Sequence, residues 1–235
     1  MNFILKYIVI MAILMGGALA QTNGQLLPTT VRVGGVNAVL IKPSKPVGSL
    51  ILLAGSDGRI GVEGNGTIAR EGNQLVRTRM HYAQKGFAVL VPDYGYSLSE
   101  LVEYMRSIQK PVTVVGTSRG TQRAARGISK GGRPDKLVLT SGFLSNASGD
   151  TENVINILES PTLLPPTLVI HHRHDHCKHT LPDGVQDFVF WSKGKSKIVW
   201  LEGGEEVGNP CEAQSHHGFR GIDQKVVDVV SGFAR

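Results

Sequence analysis

Short apolar runs recur along the chain and are separated by amphipathic stretches, which predicts a regular alternation of strands and helices. Most runs carry no charge on either face, as in strands buried on both sides of a parallel sheet. The predicted strands span residues 29–33, 36–41, 49–54, 87–91, 112–115, 136–141, 167–171 and 197–201. The predicted helices span residues 67–84, 99–109, 152–158, 183–192 and 218–233, with a further helix from Thr121. We therefore predict an α/β fold with a mostly parallel sheet of about seven to eight strands and helices on both faces.

The first 20 residues have the pattern of a secretory signal peptide. Lys6 supplies a positive start, residues 7–15 an apolar core, and Ala18 and Ala20 the small residues of a cleavage site. A membrane anchor is the alternative, but residues 7–20 are fewer than the roughly 20 apolar residues that a spanning helix needs. We therefore predict export to the periplasm or the medium, with residues 21–235 forming one domain without a stable membrane anchor.

The basic residues are scattered along the chain, although its 235 residues carry a net charge of +6. Lys193, Lys195 and Lys197 form the densest cluster, and their alternation is typical of the solvent-facing side of a turn and strand. No basic stripe is interleaved with aromatic residues, so nucleic acid is not a predicted partner. Nothing in the pattern indicates an oligomeric state.

One predicted strand runs directly into a motif that is typical of an enzymatic nucleophile. The β-branched run Val112–Val115 ends in Gly116-Thr117-Ser118-Arg119-Gly120, and residues 121–126 have helical character. The glycines allow a turn too tight for residues with a β-carbon, so that Ser118 is exposed on strained backbone. The first turn of the helix would offer unpaired N–H groups to a developing oxyanion. A chance G-x-S-x-G string is the alternative, but strand before and helix after favour a nucleophile.

A nucleophilic serine needs a base, and the base needs an orienting carboxylate. Two later strand ends offer both, because Asp175 follows strand 167–171 and His217 follows strand 197–201. The order Ser118, Asp175, His217 is the one expected for a G-x-S-x-G elbow of this kind. Asp175 could instead hold a turn, and His216 competes with His217 for the base. Three other carboxylates are alternatives to Asp175 but do not directly follow a predicted strand: Asp150, Asp183 and Asp187.

These features together resemble the α/β-hydrolase superfamily over roughly residues 30–235. The resemblance rests on the elbow at residues 116–120, the loop Ala54–Gly58 after the third strand, the Asp175 turn and His217-Gly218-Phe219. It implies an α/β-hydrolase fold. Only 57 positions separate Ser118 from Asp175, which leaves no room between them for a large lid domain.

The resemblance also implies a role for each residue of the site. Ser118 would be the nucleophile, His217 the general base and acid, and Asp175 the carboxylate that orients His217. The chain lacks the His-Gly pair that lipase-type members carry after the third strand. The oxyanion hole would therefore consist of backbone N–H groups from the residue after the nucleophile and from one of two loop residues. These donors are Arg119 and either Ser56 or Asp57.

The two cysteines lie close in sequence to the predicted acid and base. Cys177 follows Asp175 by two positions, and Cys211 precedes His217 by six. Because an even pair in an exported protein most often forms a disulfide, we predict a Cys177–Cys211 bond that ties the acid loop to the base loop. A catalytic thiol is the alternative, which the serine elbow makes the weaker one.

Five histidines lie within residues 171–179, together with Cys177. Histidine, cysteine and aspartate can all bind zinc or copper. The run follows no fixed zinc spacing, and its Asp175 is already assigned to the predicted base. We therefore predict no metal and no cofactor, with some of these histidines as solvated turn residues.

The function predicted from the sequence is that of an exported serine hydrolase that cleaves an ester or related acyl bond. Without a large lid, the site is expected to be open and to suit a small-molecule or polymer-borne acyl substrate. A peptidase or thioesterase could use the same three residues. A non-catalytic or metal-binding protein on the same scaffold is the alternative from a different class.

Overall fold

The computed structural model describes residues 26–149 and 151–235, so the predicted signal peptide and the alternative acid Asp150 lie outside the described residues. The strands are β1 (Thr29–Val33), β2 (Val36–Ile41), β3 (Ser49–Leu53), β4 (Ala88–Pro92), β5 (Val112–Thr117), β6 (Lys136–Thr140), β7 (Thr167–His172) and β8 (Ser196–Leu201). They form one sheet in the order β1-β2-β4-β3-β5-β6-β7-β8. Strands β1 and β2 pair antiparallel, as do β2 and β4, and every pairing from β4 to β8 is parallel. The predicted mostly parallel α/β sheet is confirmed.

Helices cover both faces of the sheet, because its central strands are apolar on both sides. The helices are α1 (Gln74–Arg77), α2 (Arg79–Gln84), α3 (Leu98–Ile108), α4 (Arg119–Ser129), α5 (Val154–Leu158), α6 (Gly184–Trp191) and α7 (Asp223–Ala234). Leu50 and Leu52 of β3 face a core shared with α1, α2 and α7, whereas Ile51 and Leu53 face a core shared with α3 to α6. Each such fully buried side chain contributes about 1.5–3 kcal/mol of hydrophobic stabilisation.

The parallel strands end together at one edge of the sheet. Thr117 at the end of β5 pairs with Thr140 of β6, and His172 of β7 pairs with Leu201 of β8. The loops that leave these ends therefore start side by side. Ligands of open α/β sheets bind at this edge.

The long helix predicted for residues 67–84 is wrong in its first part. Helical structure begins only after Asn73, whose side chain caps α1 by accepting a hydrogen bond from the Leu75 N–H at 3.1 Å. Thr78 then separates α1 from α2, and its hydroxyl donates to the Gln74 carbonyl at 2.7 Å. Short polar side chains that bond to nearby backbone compete with helix continuation in this way.

The last helix begins later than predicted. Residues His216–Gly218 form one 3₁₀ turn, which Phe219 ends with a left-handed φ of 56°. Helix α7 starts at Asp223 instead of Gly218. His217 is therefore held in a tight turn before the helix.

No separate lid domain occurs in the part of the chain that the structure describes. Between β6 and β7 the described residues contain only two 3₁₀ turns and the short helix α5. Within residues 26–149 and 151–235, no helix is long and apolar enough to cross a membrane.

Candidate active site

Ser118 lies in the sharp turn between β5 and α4. Its φ and ψ are 53° and −125°, outside the regions that residues with a β-carbon commonly adopt. The Ser118 N–H donates to the Thr140 carbonyl at 3.0 Å, which anchors the turn to β6. Strained backbone of this kind is held in place by its surroundings and is concentrated at functional sites.

The two glycines of the motif permit a close approach of backbone segments. A β-carbon at Gly116 would lie 2.7 Å from the Gly120 carbonyl oxygen, and one at Gly120 would overlap the carbonyl oxygen of Leu53. Helix α4 therefore packs directly against the ends of β3 and β5 only because both positions lack side chains. This contact fixes the position of Ser118 at the start of the helix.

Asp175 and His217 meet in the loops that follow β7 and β8. The Nδ1 atom of His217 lies 3.0 Å from Oδ2 of Asp175, and both side chains are almost fully buried. The imidazole N–H can donate to the carboxylate in this geometry. The structure places His217 against this acid, whereas His216 turns away toward Glu206 and the carbonyl of His174.

Several donors surround the Asp175 carboxylate. Its Oδ1 accepts from the Cys177 N–H at 3.0 Å, and its Oδ2 accepts from the Thr180 hydroxyl at 3.1 Å. Burial acts to raise the pKa of this carboxyl, but the hydrogen bond and charge of His217 outweigh it, with smaller contributions from His171 and the Cys177 N–H. The pKa of Asp175 therefore lies below its usual value, and the carboxylate is ionised at neutral pH.

His171 and Thr180 also contact the candidate acid, and neither contact was predicted from the sequence. The Thr180 hydroxyl lies 3.0 Å from Nδ1 of His217 as well as contacting Asp175. The Nε2 atom of His171 donates to the Thr180 carbonyl at 2.8 Å and lies 3.5 Å from Asp175 Oδ2. Burial lowers the pKa of His171 to about 4, so its ring is neutral at pH 7. His171, the first histidine of the run, thus supports the candidate acid without adding charge.

Ser118 and His217 line the same cavity, whose volume is about 400 Å³. Asp175 does not line the cavity, and its carboxylate contacts the far side of the His217 ring. No hydrogen bond joins Ser118 to His217 in the described part of the chain. Catalytic hydrogen bonds are commonly loose without a bound substrate and tighten when it binds.

Of the predicted oxyanion donors, two line this cavity and the third, Arg119, directly follows Ser118 in the chain. Ser56 and Asp57 line it, and a β-carbon at the preceding Gly55 would lie 3.1 Å from Cβ of Ser118. Within residues 26–149 and 151–235, the backbone N–H groups of Ser56, Asp57 and Arg119 donate to no other residue. Arg119 is the first residue of α4, where backbone N–H groups have no partner inside the helix.

Solved structures match the chain in fold, although no protein-family model and no curated protein sequence matches it. An esterase domain from Rhodothermus marinus superposes with a TM-score of 0.62 at 11% identity, over 89% of this chain and 98% of that one. An esterase from Pyrococcus furiosus gives a TM-score of 0.59 at 14% identity, over 88% and 90% of the two chains. A lidless α/β serine hydrolase from Xanthomonas campestris gives 0.57 at 14% identity, over 87% and 95%. The chain has the α/β-hydrolase fold.

In this α/β-hydrolase fold, Arg123 of α4 holds the loop after β3 in place. Its guanidinium donates to the carbonyl oxygens of Ala54, Gly55 and Ser56, the last two at 3.1 and 3.0 Å. With three carbonyls turned toward Arg123, the loop is fixed beside Ser118. Arg123 was not predicted, because nothing in the sequence pairs a helix residue with this loop.

The structure contains a disulfide bond between Cys177 and Cys211. Cys177 is buried and its backbone N–H contacts Asp175, whereas Cys211 lines the cavity. The bond thus joins the loop of the acid to the loop that leads to His217, as the sequence analysis predicted.

The remaining candidates for the acid lie elsewhere in the described residues. Asp183 precedes α6, and Asp187 lies within α6, where its carboxylate is 3.4 Å from the Ser145 hydroxyl. Neither contacts His217. The five histidines of the run divide between buried His171 and His172 at the end of β7, exposed His174 and His176 in the following turn, and half-buried His179.

Proposed function

We propose that the protein is an exported serine hydrolase that cleaves an ester or a related acyl bond. The observation that carries the proposal is the shared cavity of Ser118 and His217, with His217 Nδ1 lying 3.0 Å from buried Asp175. In this assignment Ser118 is the nucleophile, His217 the general base and acid, and Asp175 the residue that orients the imidazole. The match to esterases and serine hydrolases of the same fold supports hydrolase chemistry.

The reaction proceeds in two halves. His217 accepts the proton of Ser118 through Nε2 while Oγ attacks the carbonyl carbon, and the ionised Asp175 stabilises the imidazolium that forms. The tetrahedral intermediate collapses as His217 donates the proton to the leaving alkoxide, which departs as an alcohol. Water then attacks the acyl-enzyme with His217 again as base, releasing the carboxylic acid and restoring Ser118.

The oxyanion is stabilised by the free N–H groups near Ser118. The Arg119 N–H at the start of α4 and the N–H of Ser56 or Asp57 are the proposed donors. Removing one such donor in serine hydrolysis costs about 3–4 kcal/mol of transition-state stabilisation. Arg123 supports this arrangement, because it holds the carbonyls of the same loop away from the cavity.

The substrate proposed is a small or polymer-borne acyl ester. The cavity of about 400 Å³ is not covered by a separate domain in the described residues. Such an opening admits both soluble esters and ester groups on a polymer surface. Export is proposed from the pattern of residues 1–20, and the disulfide supports it because such bonds persist in oxidising compartments.

Replacing Ser118 tests the assignment. The Ser118→Ala variant is expected to lose hydrolysis of short p-nitrophenyl esters by a factor of about 10⁴ or more while keeping its circular dichroism spectrum. A panel of esters, thioesters and amides identifies the bond that the wild-type protein cleaves fastest. Ser129→Ala, at an exposed serine ending the same helix, is the matched control and should keep full activity. Ester hydrolysis by folded Ser118→Ala at the wild-type rate would show the proposal to be wrong.

A further inference from the structure

We propose that His176, Glu206 and His216 form a binding site for a divalent transition-metal ion such as zinc. The pattern of residues 171–179 alone predicted no metal. The fold adds two donors from the loop that follows β8. One ligand atom from each of the three residues lies within 4.8 Å of the other two.

The distances between donor atoms already approach those of a coordinated ion. His176 Nδ1 lies 3.1 and 3.2 Å from the two carboxylate oxygens of Glu206, and His216 Nδ1 lies 3.2 Å from Oε2 of Glu206. Two ligands that are each about 2.0–2.1 Å from a tetrahedral zinc ion are separated by roughly 3.3 Å. To bind an ion, each imidazole must present an unprotonated nitrogen, and His216 Nδ1 must exchange its 3.1 Å contact with the His174 carbonyl for the metal. The spacing of the donor atoms means that only small side-chain movements are needed in addition.

The donor set selects the class of metal. Two imidazoles and one carboxylate suit zinc, copper or nickel, whereas magnesium and calcium prefer sites made of oxygen ligands. His176 and Glu206 are exposed and His216 is half-buried, so water can complete the coordination. A site of three protein ligands and a water is a known arrangement for zinc.

Neighbouring residues hold one of the ligands in place. The His216 ring stacks on the buried His172 ring, with centroids 4.3 Å apart and planes at 10°. His172 is itself fixed, since its Nε2 atom contacts the Gly203 carbonyl at 2.8 Å and its Nδ1 accepts from the His174 N–H at 3.1 Å. Ligands whose orientation is set by such contacts lose less entropy when the metal binds.

The disulfide brings the two ligand-bearing segments together. His176 directly precedes Cys177, while Glu206 and His216 lie on either side of Cys211. The disulfide therefore joins the two segments in the metal-free protein, which reduces the entropy cost of assembling the metal site.

A bound ion would act as a second connection between the two loops of the candidate active site. His176 is adjacent in sequence to Asp175, and His216 is adjacent to His217. This consequence for the acid and base rests on the proposed hydrolase function. The metal site itself does not, because binding is measured without substrate.

Titration of the full oxidised protein tests the site directly. After removal of metal with a chelator, isothermal titration calorimetry with zinc chloride is expected to show one ion per chain, and cobalt(II) is expected to produce visible ligand-field bands. Glu206→Gln and His216→Gln should each weaken zinc binding by at least about tenfold. His179→Gln, in the same histidine run but outside the cluster, is the matched control and should bind as wild type. Magnesium and calcium should produce no heat of binding.

Two results would overturn the proposal. One is the absence of zinc binding at millimolar concentration. The other is equal zinc affinity in wild type, Glu206→Gln and His216→Gln, since the ion would then bind elsewhere. A protein that binds zinc as expected but hydrolyses no acyl substrate would refute the proposed function and leave the metal site standing.

Discussion

We expect the buried histidine next to the candidate acid to make the stability of the fold depend on pH. His171 is fully buried, and its Nε2 N–H is committed to the Thr180 carbonyl. Its Nδ1 has no hydrogen-bond partner among the described residues. Protonation would place a second N–H at this orphaned, desolvated position, and burial disfavours the charged ring more than the nearby Asp175 carboxylate favours it. The folded protein therefore resists taking up the proton.

The sign and size of the effect follow from the two pKa values of His171. Above pH 6.5 the ring is neutral in the folded and the unfolded chain, so its full contribution to stability is present. Between pH 6.5 and about 4, His171 is protonated in the unfolded chain but neutral in the folded chain. The free energy of unfolding therefore falls as the pH falls. The difference between 6.5 and about 4 corresponds to a loss of about 3 kcal/mol in the free energy of unfolding.

The assay is urea unfolding at a series of pH values from 7.5 to about 4, with the wild type and His171→Gln compared at each. Glutamine can donate its amide to the Thr180 carbonyl but does not titrate, so it is the matched variant. Asp175 is retained in both proteins, and because its pKa is lowered, its own contribution is lost only at more acidic pH. On acidification the wild type is therefore expected to lose about 3 kcal/mol more of its free energy of unfolding than the variant. If the free energies of unfolding of the wild type and the variant changed in parallel with pH, this reasoning would be refuted.

Two further predictions concern the connections between the acid and base loops. The double variant Cys177→Ala/Cys211→Ala lacks a disulfide that spans 34 positions. Because its unfolded chain is less constrained, we expect the free energy of unfolding in urea to fall by about 4 kcal/mol relative to the oxidised wild type. A fall of less than about 1 kcal/mol would contradict this estimate. Thr180→Val keeps the side-chain shape but removes the hydroxyl that donates to Asp175, so we expect a loss of about 1.5–3 kcal/mol at pH 7 and a lower kcat for ester hydrolysis. Unchanged stability and kcat in this variant would show that the hydroxyl does not hold the acid.

The sheet could be predicted from the sequence because each central strand is buried on both faces. The run from Leu50 to Leu53 has no polar position, and in the structure its alternate residues enter two different cores. Such runs are typical of parallel strands and rarely occur in exposed structure. The Cys177–Cys211 bond was predictable for a similar reason, since a chain with only two cysteines offers a single pairing.

Helix ends were harder to predict, because they depend on single side chains. The apolar spacing within residues 67–84 suggested one helix, but Asn73 and Thr78 form local hydrogen bonds that start and divide it. The spacing of apolar residues gives no information about such competition between side-chain hydrogen bonds and helix continuation. Phe219, which ends the 3₁₀ turn before α7 in a left-handed conformation, is fully buried, and its place in the core cannot be read from helical spacing.

The supporting residues of the site were missed because they act across loops. His171 and Thr180 contact the acid through a turn whose path depends on the whole fold. Arg123 reaches three carbonyls of a loop some 70 positions earlier in the chain, such as Ala54 at a separation of 69. Glu206 joins His176 over 30 positions for the same reason. The order of motifs along the chain predicts the candidate site residues, but the contacts that orient their side chains arise only in three dimensions.

We propose above all that Ser118 is an activated nucleophile. A fluorophosphonate reacts covalently with an activated serine and leaves ordinary hydroxyls unmodified, so it tests the activation without knowledge of the substrate. The wild-type protein is incubated with the probe, digested, and analysed by mass spectrometry. We expect a single phosphonylated peptide with the adduct on Ser118, and loss of that adduct in His217→Gln. A folded wild-type protein that remains unlabelled, or that is labelled at another residue, would contradict the account.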